Sequence, residues 1–284
     1  MTLYTKTDSG GRRFCASGRA GARAGGEERR GWRRGRGLLI DLDGTLFRGG
    51  EAIPGAKEFL EAVREAGLPH IFWTNNSTRT PAQVAAHLRS LGFAAAPERV
   101  YTSSMALAAA LGRVRRDWRV LALGEEGLRE ALRPAAALCA DGDPQVDAVV
   151  VGLDRALTYE RLRGATRHLL GGAEFFATNA DRLLPEQDGP APGAGAIVSF
   201  LETASGRRAR VFGKPQPDFV RAACEFMGIQ ASDAWVIGDN PATDIAAGRA
   251  AGARTVLVET GVAAAGGEAG GADVQVRDLR ELLA

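Results

Sequence analysis

From Gly37 onward, short apolar runs alternate with amphipathic stretches that stop at glycine, and no other feature restricts the fold as much. The run 38–42 reads as a strand ending in acidic residues and glycine, and 56–65 as an amphipathic helix stopped by Gly67. The run 70–73 predicts the next strand, closing on Thr74, Asn75, Asn76 and Ser77. Beyond it, Thr80, Pro81 and Gln83 have the spacing of a helix N-cap, a first helical residue and a capping-box partner. Strands are expected at 120–123, 148–151 and 175–177, with helices over 125–132 and 159–170. The first pattern then resumes, with strands at 210–212, 235–237 and 255–258 and helices over 218–227 and 245–251. Repeated strand–helix units imply a parallel sheet covered by helices on both faces. The fold class is α/β, a Rossmann-like doubly wound parallel-sheet core with an inserted α/β unit.

Such sheets bind ligands outside the carboxyl ends of their strands. In the first and last thirds those ends carry Asp41-Leu42-Asp43, Thr74-Asn75-Asn76, Gly213-Lys214 and Gly238-Asp239-Asn240, whereas the middle third offers no comparable acidic cluster. The chain therefore divides into a core, 37–112 and 209–284, and an insert, 113–208, with the site in the core.

Two carboxylates one residue apart at a strand end can split their duties if the backbone turns sharply between them. Asp41 would face a phosphorus and accept a phosphoryl group, and Asp43 would protonate the leaving alkoxide and then deprotonate the attacking water. Phosphoryl transfer also needs fixed charge and donors around the equatorial oxygens. Lys214 supplies the charge, Thr74 a hydroxyl, and Asn75 and Asn76 backbone or amide donors. Magnesium takes oxygen ligands, for which Asp41, the Asp43 carbonyl and Asp239 suffice, with Asp244 steadying them from the next turn.

These segments, D-L-D-G-T-L at 41–46, T-N-N-S at 74–77, G-K-P at 213–215 and G-D-N-x-x-T-D at 238–244, resemble the four ordered motifs of haloacid dehalogenase-like phosphatases. The resemblance implies Asp41 as nucleophile, Asp43 as general acid/base, Thr74, Asn75 and Asn76 as phosphate ligands, Lys214 as phosphate clamp, Asp239 as magnesium ligand and Asp244 as a supporting acid. The insert, with A-T-N-A-D at 177–181, P-G-A-G at 192–195 and E-T-A-S-G-R at 202–207, is similar to the type-2 cap of the NagD and 4-nitrophenylphosphatase-like, phosphoglycolate phosphatase-like branch. In that branch the cap closes over the site, one cap loop touches the leaving group, and homodimers form through the cap. The matching loop here is 178–192, with Leu184 where pyridoxal phosphatases carry histidine, which points to other small phosphate esters.

The net charge of +2 hides an asymmetry, because residues 1–36 hold ten Lys/Arg against three Asp/Glu and leave the remainder at −5. Rich in Gly, Arg and Ala and without periodicity, 1–36 reads as a disordered tail. An alternative function follows from it, a polyanion-binding protein recruiting RNA through the tail, with a secondary phosphatase core. The intact set of catalytic positions favours the enzyme, with a small-molecule ester as partner and neither nucleic acid nor membrane. No apolar run approaches the ~18 residues of a span, and the basic start lacks the apolar core of a secretory signal, so the expected address is cytoplasmic. Cys15, Cys139 and Cys224 are too scattered for a disulfide framework or zinc site, and His70, His87 and His168 show no metal-ligand spacing.

Overall fold

The computed structural model describes residues 29–186, 189–261 and 270–283. The chain runs through β1 (Gly37–Ile40), a short hairpin of β2 (Phe47–Arg48) and β3 (Glu51–Ala52), α1 (Ala56–Glu65), β4 (His70–Thr74), α2 (Pro81–Ser90), β5 (Val100–Thr102) and α3 (Ser103–Val114). A second set follows, β6 (Trp118–Leu123), α4 (Glu126–Leu132), β7 (Ala136–Leu138), β8 (Ala148–Val151), α5 (Tyr159–Leu170) and β9 (Glu174–Ala177). It continues with a hairpin of β10 (Leu183–Glu186) and β11 (Gly189–Pro192), then α6 (Ala194–Ser205) and β12 (Arg210–Val211). The last set is α7 (Pro217–Phe226), β13 (Ala234–Gly238), α8 (Ala246–Ala251), β14 (Arg254–Val258) and β15 (Val274–Val276).

Among the described residues, a six-stranded sheet runs β15-β14-β13-β1-β4-β5 and a five-stranded sheet runs β12-β9-β8-β6-β7. Every pairing in both is parallel. Parallel strands buried on both faces read as continuous apolar runs. In β1, Leu38 and Ile40 pack with Phe59, Phe72 and Trp235 on one face, while Leu39 packs with Trp73, Phe219 and Val236 on the other. Strand order reverses between β1 and β13, so the crevice for a ligand opens there. The second sheet is the cap. Its two faces pack against α3 and α4 and against α5 and α6. Helix α3 serves both units, with Ala106 in the core sheet's cluster and Leu107, Ala108 and Leu111 in the cap's.

Local signals were realised closely. Thr80 Oγ1 accepts from Gln83 N at 3.2 Å while Gln83 Oε1 accepts from Thr80 N at 2.9 Å, the capping box expected for α2. Two expectations fail. The strand at 210–212 does not resume the core sheet, because Arg210 and Val211 pair with Phe176 and Ala177 of β9. Phe212 follows into the cap cluster, edge-on to Phe176 at 6.0 Å, so the cap retains the chain past its expected boundary. Nor is 1–36 wholly a tail. Residues 1–28 lie outside the described residues, but Trp32 is 0% exposed, edge-on to Phe59 at 5.1 Å, and its Nε1 donates to the Leu282 carbonyl at 3.2 Å. One large aromatic in a polar, glycine-rich stretch has no periodicity, yet it buries enough surface to hold its segment on the core. No helix among the described residues is long and apolar enough to cross a membrane.

Candidate functional site

Asp41 is the first residue beyond β1, and its N–H donates to Ile237 O at 2.9 Å, extending the ladder to β13 by one residue. Leu42 then turns into the core, buried with Leu46 and Phe47, so Asp41 and Asp43 face the crevice together. Gly44 makes the sharp turn, at φ +83°, and its N–H donates to Phe47 O at 2.8 Å. A Cβ at Gly44 would lie 2.6 Å from Asp239 Oδ2, and one at Gly261 would overlap that same oxygen, so both glycines leave room for this carboxylate.

Asp239 leaves the end of β13, and Asp244 lies in the wide turn 241–245 that leads into α8. Asp244 is 1% exposed, and its Oδ2 accepts from Asn240 N at 3.0 Å. Gly238 is glycine for a packing reason, since a Cβ there would sit 2.3 Å from Asp244 Cγ. Lys214, 4% exposed, bonds Asp41 through its ammonium, pairs with Asp244 Oδ1 at 2.7 Å, and lies 4.2 Å from the centroid of the Trp73 ring. The Lys214-Pro215 peptide is cis.

Burial pushes the Asp41 carboxyl well up; the Lys214 charge pulls against this, and Asp244 and Asp239 add to the rise. Lys214 loses by burial but gains more from Asp244 and Asp41, so its ammonium is held above the ordinary lysine range. Asp43 keeps access to the crevice, yet the protein around it raises its carboxyl, moderated by Arg79, Lys214 and His87. Ligand atoms of Asp41, Asp239 and Asp244 lie within 4.8 Å of one another. Three buried carboxylates gathered in this way form an all-oxygen set, which fits a hard divalent cation.

All nine residues singled out in the sequence, Asp41, Asp43, Thr74, Asn75, Asn76, Leu184, Lys214, Asp239 and Asp244, line one cavity of about 360 Å³. Two of them also hold local structure. The Asn76 side chain caps its own turn, its Oδ1 accepting from Thr78 N and Thr78 Oγ1, each at 2.9 Å. The Asn75 amide is engaged at both ends, its Nδ2 donating to Asp181 Oδ2 and its Oδ1 accepting from Lys214 N.

The cap contributes Leu153, Asn179, Asp181 and the β10 side chain of Leu184 to the same cavity. Asp181, just beyond β9, brings a single carboxylate of the middle third to the site, a residue the sequence reading did not single out. The signal was present, since Thr-Asn-Ala-Asp after an apolar strand repeats the strand-end pattern of the core. Ser77 was missed too. Its Oγ accepts from Leu153 N at 3.0 Å, and Thr78 O accepts from Gly127 N at 2.9 Å, which joins the loop after β4 to the cap.

A family model described as haloacid dehalogenase-like hydrolase matches residues 38–136, and a second, HAD-hydrolase-like, matches 211–282. The chain is 41% identical over 227 residues to the 5'-nucleotidase YutF of Bacillus subtilis (strain 168), covering 80% of this chain and 88% of that one. A double-mutant thermostable NPPase from Geobacillus stearothermophilus superposes with a TM-score of 0.81 at 38% identity, over 87% of this chain and 97% of the other. The glycerol phosphate phosphatase Rv1692 of Mycobacterium tuberculosis, in complex with magnesium, gives 0.81 at 36% identity over 88% and 76%.

Proposed function

The chain belongs to the haloacid dehalogenase-like hydrolases, in their NagD and nitrophenylphosphatase-like branch, and from that membership we propose a magnesium-dependent phosphatase that transfers the phosphoryl group of a small phosphomonoester to Asp41. The observation that carries the reading is one cavity in which Asp41, Asp43, Thr74, Lys214, Asp239 and Asp244 meet beneath a cap hairpin. Asp41, at the end of β1, attacks phosphorus and forms an aspartyl phosphate as the ester bond breaks. Asp43 gives its proton to the departing oxygen. Its raised carboxyl keeps that proton to higher pH than an exposed aspartate would, and in the second step it takes one from the attacking water. Lys214 fixes positive charge beside the transferring group, and the Thr74 hydroxyl adds a donor. Magnesium, held by Asp41, the Asp43 carbonyl and Asp239 with Asp244 behind them, would offset the charge of the phosphoryl oxygens. Leu184, half-buried on β10, meets the leaving group.

A panel of phosphate esters with and without magnesium tests the reading. Turnover of nitrophenyl phosphate that persists unchanged in a chelator would overturn the metal assignment, and no turnover of any ester would overturn the phosphatase.

A further inference from the structure

The Asn75 amide spans two units of the molecule. Its Nδ2 donates to Asp181 Oδ2 in the cap at 3.0 Å, and its Oδ1 accepts from the backbone N–H of Lys214 in the core at 2.8 Å. Chemistry fixes which end is which, because a backbone N–H needs the oxygen and a carboxylate needs the NH₂. A Cβ at residue 213 would lie 2.5 Å from Asn75 Oδ1, so Gly213 is what lets the amide reach the lysine's backbone. The same cap loop holds the Asn75 main chain, with Asn179 Nδ2 donating to Asn75 O at 2.9 Å.

An amide is planar, so its two ends turn together about one bond. When Asp181 anchors Nδ2, Oδ1 is aimed at Lys214 N. Nδ2 also reaches the Lys214 carbonyl at a longer 3.4 Å, so without Asp181 the amide is held by the Lys214 backbone alone and its aim at Lys214 N is loosened. We propose that Asn75 is a positioning residue through which closure of the cap, read at Asp181, completes the placement of Lys214 against Asp41. The proposal rests on the phosphatase reading above and gives Asn75 and Asp181 a shared task that does not involve touching the substrate. It makes the committed arrangement of the core depend on a contact that exists only with the cap down, so that phosphoryl transfer is favoured when water has been excluded.

The test is a double-mutant cycle of Asn75→Ala, Asp181→Ala and the pair, assayed with magnesium and nitrophenyl phosphate. Each single change is expected to lower kcat by about tenfold to a hundredfold with KM changed by less than about threefold, as for a small misplacement of a catalytic group. The pair should be no worse than the worse single variant. Losses that multiply, or that fall on KM alone, would overturn the proposal. A second variant exchanges donor and acceptor. Asn75→Asp sets two carboxylates together, and adding Asp181→Asn restores the hydrogen bond with the charge of the pair unchanged, so kcat should recover about tenfold over Asn75→Asp alone. No recovery would also overturn it. Amide hydrogen exchange at Lys214 reads the coupling without turnover: Asp181→Ala should speed it, and unchanged exchange would sink the coupling. An inactive wild type would sink only the phosphatase reading.

Discussion

Lys214 and Asp244 form a buried ion pair at 2.7 Å, in which the ammonium also bonds Asp41. Removing the cation should leave Asp41, Asp239 and Asp244 facing one another. Lys214→Met is expected to cost about 3–5 kcal/mol in metal-free buffer, the usual penalty for stranding a buried charge. Magnesium should then raise the urea midpoint more in the variant than in wild type, because a more negative cluster binds the cation more tightly. Equal shifts would mean that the ion does not bind among these carboxylates.

The two aspartates after β1 should separate by leaving group. Asp41→Asn is expected to abolish turnover of every ester, since the nucleophile is gone. Asp43→Asn should slow alkyl esters strongly and nitrophenyl phosphate much less in the first step, because nitrophenolate leaves without a proton. Water activation is lost as well, so a burst and a phosphoryl adduct on Asp41 should appear, visible by rapid mixing and mass spectrometry. Equal slowing of all esters with no adduct would show that the division of labour is wrong.

The raised Asp43 carboxyl has a pH signature. The acid form is needed to protonate an alkyl leaving group, so the phosphorylation rate for glycerol phosphate should fall as pH rises through that carboxyl's elevated value. The corresponding rate for nitrophenyl phosphate should fall less over the same interval. Coincident pre-steady-state profiles for the two esters would place the proton donor elsewhere.

Trp32→Ala should cost about 3–5 kcal/mol of stability, as for other fully buried tryptophans. Turnover per folded molecule should stay close to wild type, because Trp32 packs beside Phe59 and Leu282 and does not line the catalytic cavity. Denaturant titration and active-site-normalised kinetics measure both. A variant as stable as wild type would mean that the indole is not part of the core.

Leu184→His should change the ratio of rates among esters by altering contact with the leaving group alone. A panel of esters with different alcohols reads this directly. Uniform loss across the panel would point instead to damaged closure of the cap.

How far the fold could be read from sequence depended on burial. Strands such as Ala148–Val151 are covered on both faces and so appear as unbroken apolar runs, and α2 carries a complete capping box. Among the strands that escaped notice, Val100–Thr102, Ala136–Leu138 and Val274–Val276 lie at sheet edges and are three residues long, too short to show a period even where they are buried. The partner of Arg210–Val211 is set by tertiary pairing, which local pattern cannot express. In the site, Asp41, Asp43, Lys214 and Asp239 were legible because strand-end chemistry is local. Asp181 and the engaged amide of Asn75 were not, because both depend on how the cap meets the core.

The pairing of β1 with β13 joins Gly37 to Ala234, whereas the cap sheet is complete within 118–211. A ribosome therefore finishes the cap while β1 still has one bare edge, and the core sheet can close only once the last third of the chain has emerged. Translation delivers the lid before the vessel, so the nascent core waits with an open, apolar seam that slow synthesis would prolong.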